Sequence, residues 1–340
     1  MSNFYENILD LERSTSFLNE ITKQEKESLL NNGDIVITLT GTVGKRDYGY
    51  SFQITNEKNL LLNQRVAKMV ATKIDSKYLY YEIKTKRFLN QFFYTSRGGT
   101  GNQANVGTTD LSSIKIFCPP LTEQIAIADL LRTWDKAIQT TTQLIAQKEQ
   151  CKKWLMQQLL TGKKRLKEFD EGWKKISLED SFEFVKSYSI SREGLTTSIS
   201  DDLTYCIHYG DIHALYENEF LDFSSQPRIP QIVAGNELVN ERDYLKDGDI
   251  IMADASEDYN GVGEIVEVIN INKKKAVGGL HTIVIRDSLN VTSVRFRAYL
   301  FASEIVRNEL RKKATGTSVY SVTKATLQGL YLKVPSIEEQ

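Results

Sequence analysis

The sequence predicts an α+β protein in which two mixed α/β domains of related design are separated by one long coiled-coil-type helix. Three observations carry that expectation. Residues 32–124 and 247–340 repeat one another at an offset close to 215. Between them lie more than forty consecutive residues without proline and with a single glycine, Gly162. Within each copy the apolar spacing changes from the strand period to the helix period in the same order. A period of this length exceeds any solenoid unit, so what repeats is a whole domain.

Each copy begins with a turn signal that feeds a strand: Asn32-Gly33-Asp34 before the apolar run from Ile35, and Asp247-Gly248-Asp249 before the run from Ile250. A helical stretch then opens at Lys77-Tyr78-Leu79-Tyr80-Tyr81 in the first copy and at Arg297-Ala298-Tyr299-Leu300-Phe301 in the second. Polar, glycine-containing loops follow over 96–116 and 312–332, where Thr100-Gly101 falls on Thr315-Gly316, and Leu111 and Ile114 fall on Leu327 and Leu330. Each copy is expected to close on an apolar strand, a proline and a Glu-Gln pair, FCPPLTEQ at 117–124 and VPSIEEQ at 334–340.

The segment between the copies reads as a single helix over 122–161. Pro119 and Pro120 stop what precedes it, Thr122 is the expected N-cap with Glu123 in the first turn, and Gly162 supplies the stop. Leu131, Ile138 and Ile145 recur every seven residues, and Trp134, Thr141, Lys148 and Leu155 interleave at three- and four-residue steps, which describes an imperfect coiled-coil seam. Lys163, Lys164, Arg165 and Lys167 make a basic linker beyond it, suited to the negative end of the helix dipole. Trp173 is the expected first anchor of the second domain. The expected boundaries are a first domain at 1–120, the helix and linker at 121–168, a second domain at 169–334, and the start of a second helix at 335–340.

Composition narrows the function. A chain of 340 residues, 41% hydrophobic and 26% charged, is an ordinary globular protein long enough for more than one core. No apolar run approaches the roughly 18 residues of a membrane helix, and the polar start has no signal-peptide core, so no membrane partner and a cytoplasmic location are expected. Cys118, Cys151 and Cys206 have neither disulfide nor CxxC spacing and read as buried or half-buried free thiols. His208, His213 and His281 show no ligand spacing, so no metal site is expected. A net charge of −1 means that any nucleic-acid surface must be local.

The string at 119–166, PPLTEQIAIADLLRTWDKAIQTTTQLIAQKEQCKKWLMQQLLTGKKRL, closely resembles the central conserved helix of type I restriction-modification specificity subunits. GWKKISLEDSF at 172–182 is similar to the opening of a target-recognition domain in that family. The resemblance extends over most of the chain, strongest at the helix and weakest at residues 1–30. It implies two target-recognition domains that each read half of a bipartite double-stranded DNA site, joined by two antiparallel conserved helices. It also implies modification (methyltransferase) subunits docked on the helix and carrying S-adenosylmethionine, together with restriction/translocase subunits. The chain itself would be a non-catalytic specificity subunit without a cofactor. Two departures stand out: Trp173 lies 75 residues before Gly248 whereas only 32 residues precede Gly33, and the chain stops where a second conserved helix should begin. The expectation is a truncated or rearranged subunit, completed by a second copy or another specificity fragment.

The residues themselves are consistent with absent catalysis. The only Pro-Pro pair, Cys118-Pro119-Pro120-Leu121, lacks the Asn/Asp-Pro-Pro-aromatic order used to hold a target amine, and GTVGK at 41–45 lacks the spacing of a phosphate loop. Glu264 and Glu267 alternate on an expected strand and read as solvent-facing. Side chains suited to bases and phosphates gather in two regions of each copy. In the first copy they are Lys45, Arg46 and Tyr48, then Arg97, Thr100, Asn102, Gln103 and Asn105; in the second, Tyr259 and Asn260, then Lys312, Lys313, Thr315, Thr317, Ser318 and Tyr320. Leu131, Trp134, Ile138, Ile145 and Leu155 are the candidate partner-docking residues of the seam. The alternative reading is a non-catalytic assembly protein whose repeated domains bind protein; a standalone nuclease is a third.

Overall fold

The computed structural model describes residues 4–13, 16–98, 102–198, 200, 202–216, 218–225, 228–233 and 239–340. The chain divides into two compact units, Met1–Ile145 and Ala146–Gln340, with the division inside the long helix.

In the first unit, Gly33 adopts φ +92°, a conformation that glycine reaches without a Cβ penalty, and turns the chain into the strand Ile35–Thr38. That strand is buried throughout because it lies in the middle of an antiparallel sheet, between Ser51–Gln53 and Val66–Met69. Two helices cover the sheet. Ser76–Glu82 is capped by Asp75, and Lys86–Tyr94 by Thr85; each capping side chain accepts an N–H from the first turn. Phe88 and Phe92, one helical turn apart, stack at 6.1 Å and pack with Ile35, Ile37 and Ile83 in the core.

The second unit repeats this frame in the same register. Ile250–Ala253 is the central strand, with Ile265–Ile269 on one side and Thr282–Asp287 on the other, extended at the edges by Phe220–Asp222 and Phe182–Val185. Val36 lies opposite Lys68 and Ile251 opposite Val284; Ile35 faces Gln53 and Ile250 faces Glu267. The helices Phe296–Ala302 and Glu304–Lys313 match the first pair, with Ser303 standing where Thr85 does. A four-stranded sheet, ordered Leu195–Thr196, Gln231–Ile232, Tyr205–Ile207 and Ala276–Gly278, is, among the described residues, particular to this unit. Three of its strands come from the segment between Trp173 and Gly248, which is longer than anything preceding Gly33.

Three expectations need correction here. Glu267 is fully buried rather than solvent-facing, because helix Phe296–Ala302 packs over that face of the sheet. Its carboxylate accepts N–H groups from Arg295 (2.7 Å) and Ala298 (2.8 Å), the unpaired donors of that helix start. In the first copy the equivalent side chain is the neutral Gln53, whose amide donates to Ser76 Oγ at 3.3 Å. Residues 114–118 are not a strand among the described residues, whereas Tyr331–Val334 is one, paired with Lys174–Ser177. The described residues ahead of Gly33 make a short hairpin, Phe4–Tyr5 with Ile8–Leu9, and one helical turn, and provide no such partner. Cys118 and Cys151 are exposed and only Cys206 is buried, since the first two lie on a segment without a ladder and on the open helix.

The long helix spans Leu121–Leu159, 39 residues or about 58 Å at 1.5 Å per residue. It starts one residue before the expected cap Thr122: the Pro120 carbonyl already accepts from Glu123 and Gln124. Gly162, at φ +69°, ends it. Gln124 ties the helix start to the first unit by accepting from Asp75 N (2.8 Å) and donating to Pro119 O (2.7 Å). Gln340 does the same in the second unit, accepting from Ser293 N (2.7 Å) and donating to Pro335 O (3.0 Å), and the Ser336 carbonyl accepts from Glu339 and Gln340. The glutamine that ends each repeat therefore ties a turn to its own unit, the turn that opens the long helix in the first and the turn at 336–340 in the second. Of the 39 residues only Gln124 and Ala128 are buried. No helix among the described residues is long and apolar enough to cross a membrane.

Candidate nucleic-acid interface

The two sequence regions singled out in each copy are brought together by a short antiparallel ladder beside the main sheet. In the first unit Thr40–Thr42 pairs with Gln103–Asn105, which pairs in turn with Arg97–Gly98. In the second, Ala255–Ser256 pairs with Tyr320–Ser321. Thr40 faces Asn105 and Ala255 faces Ser321, so the ladder keeps the register of the repeat.

In the first unit the turn after Thr42 is closed by Asp47. Its carboxylate accepts from Thr42 N (2.6 Å) and Thr42 Oγ1 (2.8 Å), and the backbone hydrogen bond from Thr42 holds it below its usual pKa. Gly44 at φ +81° lets the turn double back and leaves Lys45 and Arg46 exposed at its tip. Arg46 lies over the Phe93 ring at 5.1 Å. Arg97 is 82% exposed and touches Asp110 at 3.2 Å. Asn102 accepts from Val43 N through its carbonyl (3.0 Å), and Asn105 Oδ1 accepts from Thr40 Oγ1 (2.7 Å), which fixes the ladder beneath Gln103. Thr100 lies outside the described residues. Tyr48 is a correction: it is buried between Phe92 and Phe93, at 5.7 and 5.0 Å, and packs the core rather than the rim.

In the second unit Thr315 and Ser321 exchange backbone hydrogen bonds (3.0 and 2.8 Å) around a tight loop. A Cβ on Gly316, at φ +119°, would meet Val319 O at 1.9 Å, so only glycine fits. Thr317 and Ser318 stand exposed at the tip. Tyr320 meets the ring of Tyr259 edge-on at 5.2 Å, joining this loop to the one carrying Asn260. Lys312 and Lys313 are exposed at the end of their helix; Lys312 pairs with Glu309 (2.7 Å) and Lys313 donates to Gly329 O (3.3 Å). The two rims thus differ at their loop tips: lysine and arginine crown the first, whereas tyrosine and hydroxyls crown the second, with Lys312 and Lys313 at the helix end beside them.

Sequence reasoning missed Tyr94, 85% exposed at the end of the helix that leads into Arg97. An aromatic residue there reads as core, and only the direction of the last helical turn puts it outside. It also missed Arg307 and Arg311, which both donate to the Asn260 carbonyl from helix Glu304–Lys313.

On the long helix, Leu131, Trp134, Ile138, Ile145 and Leu155 are all exposed. Trp134 and Ile138 keep 64% and 62% of their surface open, a stripe that costs up to about 25 cal/mol per Å² left in water. Leu155 borders an apolar cavity of about 510 Å³ lined with Met156, Leu159, Trp173, Phe296 and Tyr299. Among the described residues no group of three or more His, Cys, Asp and Glu side chains could hold a metal ion.

Comparison with known proteins places this architecture. Residues 3–150 match the type I restriction modification DNA specificity domain. The chain is 25% identical over 330 residues, 93% of its length and 71% of the relative's, to the type I restriction enzyme MjaVIII specificity subunit of Methanocaldococcus jannaschii. The type I restriction-modification S subunit from M. genitalium shares the fold at a TM-score of 0.54 and 14% identity, over 92% of this chain and 74% of that one. A chain from a study of the assembly and conformational transition of the type I R-M system aligns at a TM-score of 0.51 and 16% identity, over 92% and 72%. The repeated α+β unit, the long helix and these likenesses converge: the chain is similar, over most of its length, to the specificity subunits of type I restriction-modification systems.

Proposed function

We propose that this chain is the DNA sequence-specificity subunit of a type I restriction-modification complex, and that its two units each read one half of a bipartite duplex target. The observation that carries this reading is the ladder repeated in register in both units, which gathers side chains some sixty residues apart into one exposed rim of phosphate- and base-binding types. Lys45, Arg46, Arg97, Asn102, Gln103 and Asn105 form the first rim, with Thr100 assigned to it by the repeat; Tyr259, Asn260, Lys312, Lys313, Thr315, Thr317, Ser318 and Tyr320 form the second. The exposed seam of the long helix docks modification subunits, and a second copy or another specificity fragment covers what they leave open. Restriction subunits join that assembly. The chain acts in the cytoplasm, catalyses no reaction and holds no cofactor; S-adenosylmethionine belongs to the modification subunits.

The test is duplex binding by the chain with its modification subunit across a salt series. The reading requires log affinity to fall linearly with log salt, with a slope set by the phosphates neutralised. Mapping of methylated adenines with and without the gene must show loss of one bipartite motif. Salt-insensitive binding and an unchanged methylation map would favour an assembly protein whose repeated domains bind protein instead.

A further inference from the structure

The loop carrying Tyr259 and Asn260 is held from beneath by a histidine that has no counterpart in the first unit. His213, on the helix Tyr209–Ala214, places Nδ1 2.5 Å from Glu264 Oε2 and Nε2 3.0 Å from the Ala255 carbonyl. A carboxylate and a carbonyl only accept, so an imidazole that satisfies both donates from both ring nitrogens, which describes an imidazolium. Its two acceptors lie at the two ends of the hairpin loop, Ala255 where the ladder with Tyr320–Ser321 begins and Glu264 where strand Ile265–Ile269 starts. One ring therefore spans the base of the loop.

The surroundings are specific. Arg307 approaches Glu264 at 3.6 Å and, with Arg311, donates to the Asn260 carbonyl at the loop tip. Tyr209 meets the His213 ring edge-on at 6.3 Å, and Tyr216 and Glu219 line the same small cavity. His281 pairs separately with Asp254 at 3.2 Å. A Cβ on Gly261 would lie 2.4 Å from Ser256 Oγ and 3.5 Å from His213 Cε1, so the loop closes tightly on the ring.

We propose that His213 is the positioning residue of this candidate reading loop, a doubly donating cation whose loss of a proton loosens the loop of the second unit and leaves that of the first unchanged. The role rests on the reading of the loop as a DNA-contacting element; the clamp itself does not. The hydrogen bond to Glu264 raises the His213 pKa above the usual 6.5, with burial opposing. The sign follows: the clamp is complete below 6.5 and is lost as pH rises through the raised value. The first unit's turn is closed by Asp47, a carboxylate held below its usual pKa, which keeps its charge throughout that range.

Hydrogen exchange of the full chain without DNA, normalised to intrinsic rates between pH 6 and 9, tests the clamp with an internal control. Protection over 254–264 should fall about tenfold as pH rises, the lower end for a hydrogen bond to a charged group, while protection over 40–48 stays flat. Glu264→Gln should move the midpoint down, and His213→Gln should abolish it. The Cε1–H proton resonance of His213, told apart from those of His208 and His281 by its loss in either His213→Gln or His213→Asn, should titrate above 6.5 in the unaltered chain, which decides the matter even where Glu264→Gln fails to fold. A flat profile over 254–264, an unchanged midpoint in Glu264→Gln, or titration of His213 at or below 6.5 would overturn the proposal. With no DNA present the outcome bears on the clamp alone; the salt series judges the DNA reading separately.

Discussion

Replacing Gln124 by alanine probes how the long helix leaves the first unit. The side chain is 2% exposed and makes two good hydrogen bonds, accepting from Asp75 N and donating to Pro119 O. Its removal forfeits about 1 kcal/mol for each bond and leaves a buried N–H and C=O unpaired, for a total of about 2–4 kcal/mol. Native-state hydrogen exchange over 75–83 and 119–128 reads this directly. Amides that open locally should exchange about thirty- to a thousandfold faster, since 1.4 kcal/mol is a factor of ten. Gln124→Glu keeps the acceptor for Asp75 but points a second carboxylate oxygen at the Pro119 carbonyl, so it should do no better than alanine. Gln340→Ala should loosen 291–298 in the same way, because it accepts from Ser293 N and donates to Val291 and Pro335 carbonyls. A change below about threefold in Gln124→Ala would refute the claim that this glutamine docks the helix.

Further expectations follow from the same geometry. Glu267→Ala, which strands the N–H groups of Arg295 and Ala298, should cost about 3–5 kcal/mol in denaturant unfolding, and Glu267→Gln should recover little of it, because its single carbonyl oxygen accepts from one of the two while its NH2 faces the other donor. Gly316→Ala should weaken duplex binding about tenfold while the melting temperature moves by no more than about 3 °C, because the strain falls on an exposed loop tip. Lys45→Ala and Arg97→Ala should each flatten the slope of log affinity against log salt by about one, measured by fluorescence anisotropy with the modification subunit present. Ile138→Lys should abolish co-purification of the modification subunit with no change in circular dichroism, since that side chain faces solvent in the chain alone.

The candidate interface was partly legible. Clusters of Arg, Lys, Asn and hydroxyl residues at matching positions in both copies named the right segments to bring together, because residue type and repeat position are visible in one dimension. Tyr48 was misplaced and Tyr94 overlooked for one reason: near a helix end or a turn, the side of the chain that a tyrosine takes depends on the local dihedrals and on Phe92 and Phe93 beside it. The Arg307 and Arg311 support of Asn260 joins residues some fifty apart and left no local pattern.

What the amino-acid order determined alone was everything governed by short-range stereochemistry: the Gly33 and Gly248 turns, the alternation of strands and helices, the proline-free helix with its stop at Gly162, and the duplication itself. Tertiary structure decided which polar groups leave water. Glu267 and Gln53 occupy one register position with opposite chemistry, a carboxylate that accepts N–H groups and an amide that donates to Ser76; their burial follows from the helix laid across them. It likewise paired Thr40–Thr42 with Gln103–Asn105 and left Trp134 and Ile138 open to solvent. Ladder register across sixty residues, and the cost of desolvating a charge, are properties of what packs against a residue rather than of its neighbours along the chain.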